Sequence, residues 1–137
     1  MSKFTLTIRK EYDFDGDKVV AKMSRLTRTD ALLIMPHVQK AADAAQSGDK
    51  VAMAMEDSMA YMEAAGTVLR NSIKDLSGLF IDDEEVKPGG ELFSTMLDSI
   101  YFMNLMMMMV NDLVSESFLK VEDEKKPDEQ SEETTSG

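Results

Sequence analysis

The sequence predicts an α+β fold that is mostly α: an N-terminal β-hairpin packed on a bundle of three to four helices, followed by a disordered acidic C-terminal tail. Three observations predict it. Apolar and polar residues alternate near the N-terminus on both sides of a Gly-centred acidic turn. Apolar residues then recur at helical spacing through the middle of the chain and again from residue 91. After Val121 the chain has no apolar residue, too little to order a segment by burial. The organisation expected is one domain over 1–119, with a hairpin at 3–23, helices at 27–76, a loop at 77–90 and a Met-rich helix at 91–119, then the tail at 120–137.

Each element has a local cause. Phe4, Leu6 and Ile8 alternate with Thr5, Thr7 and Arg9, the period-two pattern of a strand with one buried face. Asp13-Phe14-Asp15-Gly16-Asp17 supplies turn residues, and Gly16 is free to take positive φ. Val19-Val20-Ala21-Lys22-Met23 reads as the returning strand. An isolated hairpin is marginal in water, so it must pack on the helices or pair with another chain.

Thr27 with Asp30 three residues on resembles a capping box, with Asp in the usual Glu position. It opens a helix over Asp30–Gln46. Pro36 lies inside that segment and removes a backbone donor, which predicts a kink or two short helices meeting near Met35-Pro36. Val51–Leu76 is the next helix, with Met55, Met59, Met62, Ala65, Val68, Leu69, Ile73 and Leu76 at helical spacing and Gly66 as a weak spot. Residues 77–90 form a loop carrying Asp82-Asp83-Glu84-Glu85, closed by Lys87-Pro88-Gly89-Gly90. Glu91–Leu119 reads as one helix about 40 Å long.

That last helix holds the most unusual part of the chain. There are 13 methionines in 137 residues, four of them consecutive at Met106–Met109. Between residues 100 and 110 the helix is apolar nearly all round, more than a small monomer is expected to cover. Methionine is flexible and polarizable and suits both irregular cores and adaptable binding surfaces. One stripe is therefore expected to close the domain and another to receive a partner helix or a second copy. Phe102, Leu105, Met106, Met109 and Leu113 are the partner-binding candidates; Met103, Met107 and Val110 are assigned to the core.

Composition limits the chemistry. The net charge is −11, and residues 1–81 contribute none of it; 91–119 contain no Lys or Arg. This lacks the basic footprint of a nucleic-acid binder and would be repelled by anionic lipid. No signal peptide is evident, and the apolar run at 100–110 is too short to span a membrane, so a soluble cytoplasmic protein is expected. Without cysteine there is no disulfide, zinc–thiolate site or thiol nucleophile. The one histidine, His37, has no triad partner to recruit. No phosphate-loop, dinucleotide-binding or zinc-protease motif occurs, so no cofactor and no enzymatic activity are expected. Asp13, Asp15 and Asp17 fail as a calcium loop: Gly16 falls at position four instead of six, and position twelve is Ser24. They read as a solvated hairpin turn, and Asp82–Glu85 as a solvated acidic loop. No metal site is expected.

The order of features nevertheless resembles a family. A strand, an acidic-Gly turn and a Val-rich strand lead into Ser24-Arg25-Leu26-Thr27-Arg28-Thr29-Asp30-Ala31-Leu32-Leu33, then a helical body and a charged, Pro-containing tail. This is similar to the tail assembly chaperones of long-tailed bacteriophages, the lambda-type G protein family, with the match carried by Phe14–Leu33. The resemblance implies a protein that binds the helical tape-measure protein in the host cytoplasm, keeps it soluble while tail-tube subunits polymerise, and is absent from the mature virion. It also implies a frameshift-extended form that recruits the tail-tube protein; Lys125-Lys126 is compatible with an A-rich slippery codon pair. The alternatives are a small acidic phage-encoded inhibitor or anti-defence protein, and a homo-oligomeric structural protein whose apolar helix is the subunit interface.

Overall fold

A computed structural model describes residues 6–46 and 54–119. The expected hairpin is present. Strand β1 (Thr7–Phe14) pairs antiparallel with β2 (Asp17–Ser24), with Ile8 opposite Met23, Tyr12 opposite Val19 and Phe14 opposite Asp17. The two residues between them, Asp15 and Gly16, take φ of 53° and 88°. Two successive positive φ values make the tight turn whose twist matches paired strands. Ile8 and Tyr12 alternate inward with Val19, Ala21 and Met23, while Arg9, Glu11 and Lys18 pair ionically on the outer face. Residues 3–5 of the expected hairpin lie outside the described residues.

Helix α1 (Arg28–Gln46) starts where the capping pattern predicts. The Asp30 N–H donates to Thr27 Oγ1 at 3.1 Å, and the Asp30 carboxylate, buried, accepts from Asn71 Nδ2 at 3.2 Å. The expected break at Pro36 does not occur: α1 runs through it as one helix. The carbonyl that loses its donor is that of Leu32, a residue 71% exposed, so water can serve it.

Helix α2 (Met55–Ser72) packs antiparallel on α1. Asp30–Asn71, His37 stacked on Tyr61 at 6.1 Å, and Lys40 to Asp57 at 3.3 Å fix the register along the pair. The sequence extends this helix to Leu76, and the structure corrects it. Ile73–Ser77 forms β3, antiparallel to β2, with Ala21 opposite Leu76 and a register shift near Met23. The sheet order is β1-β2-β3, so β2 is central, and its Val19, Ala21 and Met23 are fully buried.

The loop expected at 77–90 is also more regular than its composition suggests. β4 (Phe80–Ile81) and β5 (Glu84–Glu85) form a small hairpin, turned by Asp82 and Asp83 at φ 50° and 70°. Leu79 and Val86 anchor it in the core, and the Val86 N–H donates to the Leu79 carbonyl at 2.8 Å.

The single helix expected over 91–119 is two arms. α3 (Glu91–Leu97) ends at Asp98, whose N–H is shared between the Ser94 and Thr95 carbonyls; Ser99 is extended. A 3₁₀ turn (Ile100–Phe102) then leads into α4 (Met103–Val114) and a closing π turn (Ser115–Leu119). The arms meet at 74°. The bend lets Phe93, Met96 and Leu97 pack into the same core as α4, which a straight helix about 40 Å long would overshoot. Central α2 contacts α1 on one side and α4 on the other. The tail at 120–137 lies outside the described residues.

Candidate partner-binding surface

The structure reverses the expected faces of the Met-rich helix. Phe102, Leu105, Met106, Met109 and Leu113, expected to be open, are all buried, the last four at zero exposure. Met103 and Met107, expected inside, are only half-buried; Val110 is buried as expected. The cause is the register in which α4 meets the rest of the molecule. Asp112 and Glu116 must face the sheet, and this turns the stripe at 102, 105, 106, 109 and 113 inward with them.

Polar contacts from four residues set that register. Tyr12 donates to Asp112 Oδ2 at 2.7 Å, and Lys10 pairs with Glu116 at 3.1 Å. Arg25 donates to the Glu116 carbonyl and lies 3.8 Å from its carboxylate. The Leu26 N–H donates to Ser117 Oγ at 3.0 Å. Burial, together with the hydrogen bond to the Asp112 carboxylate, holds the Tyr12 hydroxyl well above the usual tyrosine range. At the other end of the helix, Tyr101 donates to Asp15 Oδ2 at 2.5 Å, and Phe14 packs on Tyr101 and Phe102. The Asp15 hydrogen bond, more than desolvation, raises the Tyr101 hydroxyl as well.

Among the described residues, uncovered apolar side chains gather on two helical surfaces. One is the outward side of the C-terminal arm, where Ile100 is 62%, Met108 38% and Phe118 46% exposed. The other is a groove of about 270 Å³ between α1 and α2, walled by Leu33 and His37 and floored by Ala60, Ala64 and Thr67, with Glu63 at its edge. Leu32 and Met59, the sequence neighbours of the lining residues Leu33 and Ala60, are 71% and 36% exposed. α1 buries only Asp30 and Ile34 of its 19 residues. The sequence held a signal for this groove: Leu32-Leu33-Ile34-Met35 puts four apolar side chains on one turn, too many to face a single neighbour.

His37 lies against Tyr61, whose hydroxyl is raised by burial. A second cleft of about 390 Å³, between α2 and α3, includes Glu63, Arg70 and Asp98; Arg70 there donates to Ser94 at 3.0 Å. Among the described residues no three His, Asp or Glu side chains converge as metal ligands, and no single helix is long and apolar enough to cross a membrane. Comparison with known protein families, with characterised proteins and with solved structures finds no significant match.

Proposed function

We propose that this chain is a tail assembly chaperone of the long-tailed phage type, which binds and keeps soluble a helical tape-measure protein, with the client helix lying along α1 and α2. The observation that carries the reading is the uncovered flank of α1, where Leu33 and His37 border a groove floored by small α2 residues. Small residues at Ala60 and Ala64 let a third helix approach closely, and the flanking Leu33 gives it apolar contact. A hairpin followed by a Thr27-capped helix, over the segment that carries the family resemblance, supports the same reading. Action is by binding, without a catalytic step or cofactor. The cytoplasmic setting, the absence from the finished virion and an extended form recruiting tail-tube subunits belong to the same proposal.

Co-expression with a tape-measure protein tests it. The full chain should raise the soluble fraction of the client several-fold. Ala60→Arg, which fills the groove from an exposed helical position, should remove most of that gain while the variant keeps its own helix content. A client equally insoluble with and without the chain overturns the reading.

A further inference from the structure

The outward stripe of the C-terminal arm is distinct from the α1–α2 groove, and its chemistry is unlike the rest of the surface. Its exposed positions are Asn104, Met108 and Asn111, aligned on α4 by steps of four and three, with Ile100 in the 3₁₀ turn before them and Ser115 and Phe118 in the π turn after them. None is charged, in a chain with 30% charged residues and a net charge of −11. Asp112 and Glu116, the carboxylates nearest in sequence, are turned toward the sheet and bonded to Tyr12 and to Lys10 with Arg25. Two copies of so acidic a chain repel one another over most approaches. Along this line they can meet without setting charge against like charge.

We propose that this stripe is the interface of a homodimer, with two C-terminal arms packed antiparallel about a two-fold axis between Met108 and Asn111. Such an interface must be self-complementary. In this arrangement Ile100 lies against the partner's Phe118, apolar on apolar at both ends. Asn104 meets the partner's Ser115, amide to hydroxyl, and Met108 sits beside the partner's Asn111. A parallel pairing would instead bring the two C-terminal segments 120–137, each of net charge −4, side by side. The antiparallel one starts them from opposite ends of a stripe about 27 Å long, several Debye lengths at physiological salt. A single helix pair is small beside a standard protein interface, so the dimer forms at about micromolar concentrations or above.

Sedimentation equilibrium of the full chain, from about 1 to about 300 μM, reads the proposal directly. A monomer–dimer equilibrium is expected, and Met108→Lys, at a half-exposed position next to the axis, should weaken it at least tenfold without changing the far-UV spectrum. The chain has no cysteine, so orientation can be read by cross-linking. Asn104→Cys with Ser115→Cys in one chain should give a disulfide-linked dimer under mild oxidation, and Asn104→Cys alone should not. A monomer at every concentration overturns the proposal. So does a dimer that Met108→Lys leaves unchanged, or one in which Asn104→Cys alone cross-links as well as the double variant.

Discussion

Met106 and Met108 are the same residue two positions apart on one helix, and they face opposite environments. Met106 is fully buried against the core and lies near Gly66 of α2, where a Cβ would come within 3.9 Å of its Cε; Met108 is 38% exposed. Four consecutive residues on a helix span about 300° of its circumference, so a run of four methionines cannot share one face. Truncation should separate them. Met106→Ala removes buried volume and leaves a cavity, costing about 2–5 kcal/mol, whereas Met108→Ala should cost under about 1 kcal/mol. Urea unfolding of the two variants checks the contrast. A charge at Met106 would be buried without a partner and should unfold the domain, so Met106→Glu reports on the core and not on a binding surface.

At the scale of elements, β3 shows most clearly what local pattern reaches and what it misses. Ile73 and Leu76 continue the apolar spacing of Val68 and Leu69, so from sequence they extend α2. They become a strand because β2 offers an unpaired edge there, a long-range fact that no local window contains. The first hairpin, by contrast, was legible because its alternation and its Asp-Gly turn are both local. So was the start of α1, where Thr27 accepts the Asp30 N–H. The break at Asp98-Ser99 was masked by helix-compatible residues on either side. The orientation of α4 was not fixed by residues 100–110, where Asn104 is the one strongly polar residue; its direction comes from Asp112 and Glu116 meeting residues about a hundred positions earlier. β3 also has an exacting end. Gly78 has φ of 87°, and a Cβ there would run into the Lys18 backbone carbonyl of β2. Gly78→Ala should therefore cost more than about 2 kcal/mol, above the roughly 1 kcal/mol typical of conformational strain alone, because the obstacle is backbone. Thermal unfolding measures it.

For the whole molecule, the contacts of Tyr12, Lys10, Arg25 and Leu26 with residues 112–117 join the first strands to the last helix. The Tyr12 hydroxyl is raised by its burial and by Asp112, so the folded state holds that proton more tightly than the unfolded chain, where the ordinary value is 10.0. Above about pH 10 the unfolded chain binds fewer protons than the folded one, and stability falls, at a limiting slope of about 1.4 kcal/mol per pH unit for one group. Below that pH the contribution is fully present. Tyr12→Phe should be about 1 kcal/mol less stable at pH 7, having lost a hydrogen bond, and the gap should narrow as pH rises past 10. Denaturation midpoints at pH 7 and pH 11 give the comparison.

The same closure bears on how the protein is made. Tyr12 and Asp112 are separated by 100 positions, and Leu26 and Ser117 by 91. At about 5–20 residues per second, translation leaves the hairpin waiting about 5–20 s for the helix that covers it. During that interval Tyr12 has no Asp112 to bond and Leu26 no Ser117. The first strands are thus among the last parts of the domain to be secured.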